Sequence, residues 1–241
     1  MTEDKLYAEK IPRIADFEFD ARVVTVFSDM IERSVPGYRH LIAMLGIFGD
    51  RYYQPSSRCY DLGCSLGAAG ISLAKGIRDP NARLVFVDNS PDMIAQCRAQ
   101  LAQANLCATY ETVCADLATV AIEDASIVVL NYVLQFIAPS KRLELLQRLY
   151  AGLLPGGVLL LSEKVVWPET RTQEFFQDLH YHFKRTNGYS DLEISQKRTA
   201  LEKVLVPDSL EGLRERLQQA GFHTCRVWHQ SLNFVSWCAE K

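Results

Sequence analysis

The sequence predicts a single α/β domain, built on a doubly wound, mostly parallel sheet that closes with a C-terminal antiparallel hairpin. Three observations predict it. Strand-like apolar runs alternate with helical patterns from Arg58 to Lys164, a glycine-bearing loop follows the first run, and the last two strand-like segments are almost contiguous. The 241 residues suit one such domain with helical elaborations, and would leave two independent domains cramped.

Taken in order, residues 20–34 (DARVVTVFSDMIERS) set Val23, Val24, Phe27, Met30 and Ile31 at helical spacing. Val35-Pro36-Gly37 breaks the pattern, and residues 38–53 resume it with Leu41, Met44, Leu45, Phe48 and Tyr52. A helical prelude over 15–54 is therefore expected. The strand RCYDLG, the helix AAGISLAKGI and the strand ARLVFVD then make one βαβ unit. The next helix, PDMIAQCRAQLAQAN, opens with Ser90 as N-cap and Pro91 at its first position, where proline is favoured.

A strand near TYETVCAD, the apolar run SIVVLNYVL and the helix KRLELLQRLYAGL follow. Pro155-Gly156-Gly157 reads as a break before the strand VLLLSEK. At the C terminus the helix LEGLRERLQQAG precedes CRVWHQ, and about two residues, Ser231-Leu232, separate that strand from NFVSWCAE. So short a connection joins only antiparallel strands.

Residues 165–207 exceed what the basic fold requires and read as two inserted helices, EFFQDLHYHFKRTNG and SDLEISQKRTALEKVL. The second opens with the capping-box pattern Ser190…Glu193. Phe175, Phe176, Tyr181 and Phe183 are expected to form a core-facing stripe, with a cover over the site as the alternative.

Composition narrows the function classes. With 48% hydrophobic and 23% charged residues, the balance is that of a globular protein, and no apolar run reaches the roughly 18 to 20 residues of a membrane span. The charged N-terminal stretch lacks a secretory signal, and the seven cysteines are odd in number without Cys-x-x-Cys spacing. A cytoplasmic protein with free thiols is expected. A net charge of −3 with no basic block argues against direct nucleic-acid binding. His180 and His182 stand two apart on a helix and do not share a face, so no metal site is expected.

The loop Asp61-Leu62-Gly63-Cys64-Ser65-Leu66-Gly67 lies where the first strand meets its helix, the place where doubly wound sheets bind ligands. Gly63 lets the backbone approach a ligand, Gly67 permits tight entry into the helix, and the helix N-terminal amides offer donors. A dinucleotide fingerprint would need glycine where Ser65 and Ala68 stand. The pattern suits S-adenosyl-L-methionine instead.

Asp88 ends the second strand twenty-seven residues after Asp61, where a carboxylate can accept from both ribose hydroxyls, and Asn89 lies beside it. Asp116 follows the third strand within reach of an adenine amino group, although an Asp in a turn also serves as a plain local cap. Asn131 interrupts an apolar run, and a buried amide needs a partner, from the protein or from a ligand. The residues after it, Tyr132-Val133-Leu134, are not the Pro-Pro-Tyr common in methyltransferases of exocyclic amines.

RSVPGY at 33–38, YDLGCSLGAA at 60–69, VDNSPDMI at 87–94, LSEK at 161–164 and FKRTNGYSDLEISQKR at 183–198 resemble the carboxy-S-adenosyl-L-methionine synthase family. The resemblance runs from about residue 15 to the C terminus and includes the inserted helices. It implies a class I methyltransferase-like fold that uses S-adenosyl-L-methionine and prephenate to form carboxy-S-adenosyl-L-methionine and phenylpyruvate. Hydroxide lost as prephenate decarboxylates would take the sulfonium methyl proton, and the resulting carbanion would capture carbon dioxide. The product would feed a separate enzyme that carboxymethylates a tRNA wobble uridine.

The resemblance also implies a homodimer and site residues at Tyr38, Gly63, Cys64, Ser65, Asp88, Asn89, Asp116, Leu117, Asn131 and Arg198. Arg198 would bind the new carboxylate through its planar fork. Two other functions fit the residues alone. A conventional small-molecule methyltransferase fits the loop and the hairpin, and a non-catalytic cofactor-binding protein fits the lack of an evident general base.

Overall fold

Asp20 starts the first helix. In the computed structural model, which describes residues 2–241, its carboxylate accepts from the amides of Arg22 and Val23 and opens α1 (Ala21–Ser34). Gly37, at φ +75°, turns the chain into α2 (Tyr38–Tyr52). This helix crosses α3 (Ala68–Gly76) backbone to backbone: a Cβ on Gly76 would lie 1.8 Å from the carbonyl oxygen of Gly46, and one on Gly49 would lie 2.2 Å from that of Leu73. The second prelude helix is thereby a layer of the domain.

The remaining elements are β1 (Arg58–Leu62), β2 (Arg83–Asp88), α4 (Pro91–Gln103), β3 (Thr109–Cys114), β4 (Ala125–Asn131), a 3-10 turn (Leu134–Phe136) and α5 (Pro139–Gly152). After them come β5 (Leu153–Val166), α6 (Thr170–Thr186), α7 (Asp191–Leu201), β6 (Asp208–Ser209), α8 (Leu210–Ala220), β7 (Thr224–Ser231) and β8 (Phe234–Glu240). The sheet runs β3-β2-β1-β4-β5-β8-β7, with β6 paired to β5. β8 is antiparallel to both its neighbours and the other pairings are parallel. The order reverses between β1 and β4, which opens a crevice at their carboxyl ends. This is the predicted fold.

Both sheet faces are covered, which is why the central strands read as continuous apolar runs. Leu41, Leu45, Leu73, Cys97 and Leu101 from α2, α3 and α4 pack on Phe86, Ile127 and Leu160. Leu145, Leu149, Leu213 and Leu217 from α5 and α8 pack on Val85, Val128 and Leu161 across the sheet. A third cluster joins Phe17, Val23, Val26 and Met30 to Leu66 of the loop, Met93 of α4 and Ala200 of α7. The N-terminal strap holds this cluster down. The Gln196 side chain donates to the carbonyls of Tyr7 and Glu9 and accepts from the Ile11 amide, Phe17 N–H donates to the Ala200 carbonyl at 3.0 Å, and the Ser90 hydroxyl donates to that of Phe19 at 2.9 Å.

Three local expectations need correction. Pro155-Gly156-Gly157 does not precede β5 but lies within it as a bulge: Leu153 pairs with Ala125 and Val158 with Ile127, while Gly156, at φ +75°, donates to the Lys241 carbonyl. The second inserted helix ends at Leu201, whose carbonyl accepts from the amides of Val204 and Leu205. The aromatic stripe of α6 is only partly core-facing. Phe175 is 59% exposed and Leu179 36%, Phe176 stacks on Trp167, and His180 is the helix's buried residue. The helix meets the sheet through His180 on Phe234, and of the stripe Phe176, Tyr181 and Phe183 are half-buried while Phe175 is left exposed.

Candidate active site

β1 delivers Asp61 to the crevice. The side chain is 3% exposed, and its Oδ2 accepts from Gly70 N–H at 2.7 Å, which ties the strand end to the first turn of α3. Burial pushes this carboxyl up to about 7. The Gly70 amide opposes that shift and the nearby Asp88 charge adds to it. The loop between them folds back on β2, with the amides of Gly63 and Cys64 both donating to the Val87 carbonyl, at 2.8 and 2.9 Å. Gly63, at φ +69°, has no room for a side chain: a Cβ would lie 2.4 Å from Val133 Cγ2.

Asp88 organises the loop as well as facing the crevice. Its Oδ2 accepts from Ser65 N–H and its Oδ1 from Ser90 N–H, each at 2.9 Å. A carboxylate offers about four acceptor positions, so two amides leave capacity on both oxygens for a pair of hydroxyls. Burial raises its pKa, and the amides of Ser90, Ser65 and Asn89 oppose the shift. Ser90 also caps α4 by accepting from Met93 N–H at 3.3 Å, with Pro91 in the first turn.

From the other side of the switch point, β4 presents Asn131, whose Oδ1 is buried with no donor among the described residues. An orphaned acceptor at the carboxyl end of β4 is what a nucleoside or amino-acid ligand would satisfy. Tyr132 follows at φ +61°, an uncommon conformation for a bulky residue, held by its amide donating to the Ser162 carbonyl at 2.7 Å. Tyr38 comes in from the start of α2, and burial followed by the Asp61 charge raises its phenol. Gly63, Cys64, Ser65, Asp88 and Asn131 thus stand at or just beyond the carboxyl ends of β1, β2 and β4, with Tyr38 within electrostatic reach of Asp61.

The other expected residues are exposed or half-buried. Asn89 is exposed beside Asp88. Asp116 is exposed and its Oδ1 accepts from Ala118 N–H at 2.8 Å, the plain local turn, while Leu117 is half-buried behind it. Arg198 is exposed on α7, where its charge lowers the pKa of Lys164 after burial has done so.

One residue escaped the sequence reading. Glu163, 3% exposed on β5, accepts from the amides of Val133, Leu134 and Gln135 at 3.2, 2.8 and 2.9 Å, and so fixes the turn after Tyr132. Burial pushes its carboxyl up to about 8, against the pull of those amides and of Arg142. Its sequence signal was a polar triplet, Ser162-Glu163-Lys164, between the apolar runs of one strand. Among the described residues, no three His, Cys, Asp or Glu side chains are grouped to hold a metal ion, and no helix is long and apolar enough to cross a membrane.

Residues 60–157 match the family model described as a methyltransferase domain. In fold, the chain resembles an O-methyltransferase family protein from Burkholderia thailandensis at TM-score 0.64 and 15% identity, with 92% of this chain and 60% of that one covered. A cyclopropane synthase from Mycobacterium tuberculosis matches at TM-score 0.57 and 19% identity, over 79% and 63% of the two chains. These likenesses show the class I methyltransferase fold. Much nearer in sequence is a protein of Geobacter metallireducens named carboxy-S-adenosyl-L-methionine synthase, 54% identical over 99% of this chain and 98% of its own length. A protein of the same name from Vibrio cholerae is 47% identical over 99% and 97%.

The chain belongs to the carboxy-S-adenosyl-L-methionine synthase family. The match covers nearly the whole chain, whereas the methyltransferase-domain match stops before the inserted helices. In this member of the carboxy-S-adenosyl-L-methionine synthase family, the strap, α1, α6 and α7 therefore belong to what the relatives share in length. α1 and α7 also share a core cluster with Leu66 of the loop at 61–67.

Proposed function

We propose that the chain converts S-adenosyl-L-methionine and prephenate to carboxy-S-adenosyl-L-methionine and phenylpyruvate. The observation that carries this is the 54% identity over nearly the full length of a relative that bears the synthase name. In the net reaction the ring carboxylate of prephenate is lost as carbon dioxide and becomes bonded to the sulfonium methyl carbon, and the methyl proton leaves with the ring hydroxyl as water.

In this proposal Asp88 accepts from the ribose hydroxyls, Asn131 gains a partner for its orphaned Oδ1, and the loop from Gly63 to Ser65 receives the methionine end. Asn89, Asp116 and Leu117 line the adenine end, and Tyr38 approaches from α2. Arg198 binds the carboxylate that distinguishes product from cofactor, because a guanidinium fork matches it in shape and charge. The protein contributes position and electrostatic stabilisation, and its water exclusion comes from the strap, α1 and α7 packed over Leu66.

The product would supply a separate tRNA-modifying enzyme with its carboxymethyl group, in the cytoplasm, which relieves this acidic chain of binding tRNA itself. The exposed Phe175 and Leu179 of α6 support a homodimer that buries them. Incubation of the protein with S-adenosyl-L-methionine and prephenate tests the reaction. A nucleoside product one carboxylate heavier is expected in mass spectrometry, together with phenylpyruvate. S-adenosylhomocysteine released in step with a methylated acceptor would instead make the chain a conventional methyltransferase.

A further inference from the structure

Beside the crevice lies a cluster of basic side chains, two of them lysines without a matching anion among the described residues. Lys164 stands on β5 opposite Phe234 of β8, His180 and Lys184 stand one turn apart on α6, and Lys197 and Arg198 stand on α7. The group adjoins the site through one aromatic ring. Tyr132 and His180 both meet Phe234 edge-on, at centroid distances of 5.8 and 5.1 Å.

The lysines act on one another and keep His180 neutral. Lys184 is half-buried, and burial, then the charges of Lys197 and Lys164, push its amine down to about 7. Burial and then Lys184, Lys164 and Lys197 hold His180 down to about 3, with its Nε2 and the Ser34 carbonyl oxygen 2.8 Å apart. Lys197 has a counter-charge, Asp4 at 3.4 Å, and a hydroxyl, Ser34 at 3.2 Å. Among the described residues, neither Lys164 nor Lys184 has a carboxylate within ion-pair distance.

Withdrawing an ammonium from water with no counter-ion is unfavourable, and two adjacent ones repel. Cations left unpaired beside a catalytic crevice are instead the complement of an anionic ligand. The chain has more acids than bases, so a structural partner was available in composition and was not placed here.

We propose that Lys164 and Lys184 form a carboxylate-binding subsite, separate from Arg198, that holds the 2-oxo-acid carboxylate of the dianionic co-substrate. This rests on prephenate as co-substrate, whose ring carboxylate is transferred and whose side-chain carboxylate remains in phenylpyruvate. The two carboxylates then have different receptors: a planar fork for the one that reacts, and two ammonium groups for the one that only anchors. The charges that reach Lys184 are those of Lys197 from α7 and Lys164 from β5, and Lys184 in turn acts on His180 of its own helix; Arg198 reaches Lys164, and Asp4 from the strap with Arg33 and Asp29 from α1 reach Lys197. Asp4 is engaged by Lys197 and Tyr189, and Asp29 by Arg33.

Phenylpyruvate is the probe that isolates the subsite, because it carries only the anchoring carboxylate. Its affinity for the cofactor-loaded protein is measured by calorimetry, with the variants K184M, K184R, K164M and R198A alongside the wild type. K184M and K164M are expected to weaken phenylpyruvate about 10- to 100-fold, K184R to recover most of the loss, and R198A to leave it within about twofold. S-adenosyl-L-methionine affinity stays unchanged in the lysine variants. The thermal midpoint of K184M stays level or rises, because Met removes an unpaired amine; a purely structural lysine would lower it. Wild-type phenylpyruvate affinity should also fall as pH rises above about 7, where Lys184 loses its proton.

Wild-type phenylpyruvate affinity in both K184M and K164M would overturn the subsite, as would no binding by the wild type. If instead the wild type binds phenylpyruvate through Lys184 but makes no carboxylated product from prephenate, the subsite stands and the proposed reaction falls.

Discussion

Replacing Asp88 by Asn keeps the shape of the side chain and removes one of its two anionic acceptors. In the native protein each oxygen already receives a backbone amide, Ser65 at Oδ2 and Ser90 at Oδ1, both at 2.9 Å. Whichever way the Asn amide turns, its NH2 group confronts one of those donors. Losing a charge-assisted hydrogen bond of this kind costs about 1.5–3 kcal/mol, and the release of a buried charge offsets part of it. For a chain of this size each kcal/mol moves the thermal midpoint by about 2–4 °C, so a fall of about 3–12 °C is expected, toward the lower end. The same substitution removes an acceptor for the ribose pair, so affinity for S-adenosyl-L-methionine should drop by on the order of 10- to 100-fold. Calorimetric titration and a thermal melt at neutral pH measure both. Affinity within twofold of wild type would show that Asp88 only braces the loop, and the cofactor assignment at β2 would have to be abandoned.

Other substitutions probe the rest of the site. Gly63→Ala forces a Cβ to 2.4 Å from Val133 Cγ2 at φ +69°, and should abolish measurable cofactor binding and lower the melting temperature. Glu163 is held up to about 8 against an ordinary 4.5, so the native state binds this proton more tightly than the unfolded chain. Its contribution to stability is complete below about 4.5 and lost as pH rises through about 8; urea melts of E163Q should show a flatter pH profile than wild type across that window. Arg198→Ala should reduce product formation at least tenfold while cofactor affinity stays within twofold, and equal losses in both would remove its special role. Phe175→Glu puts a charge on the exposed apolar face of α6, and if the proposed homodimer buries that face, sedimentation should shift from dimer to monomer.

What could be read in the sequence was local. Gly63, Gly67 and Asp88 sit within one βαβ unit and the Ser90-Pro91 start of α4 follows it directly, where each residue type answers to the backbone conformation or cap beside it. Glu163 could not be assigned that way, because its role arises only when β5 pairs with β4 and brings the carboxylate under the amides of Val133, Leu134 and Gln135. The strap was equally silent: Gln196 holds Tyr7, Glu9 and Ile11 across more than 180 positions, and such polar ties leave no periodicity.

Pro155-Gly156-Gly157 misled because a bulge and a loop use the same residues. Phe175 of the α6 stripe misled because an apolar helical stripe does not say which of its members the chain's own core covers. The choice of reaction came from resemblance, since the cofactor loop is common to methyl transfer and carboxyl transfer alike.

The most direct measurement is isotopic. Prephenate labelled with carbon-13 in its ring carboxylate is turned over with S-adenosyl-L-methionine, and the nucleoside product is analysed by mass spectrometry and carbon NMR. The label should appear in a carboxylate bonded to the former methyl carbon, while the phenylpyruvate is unlabelled. Label found only in free carbon dioxide, with the nucleoside demethylated or unchanged, would contradict carboxyl transfer by this chain.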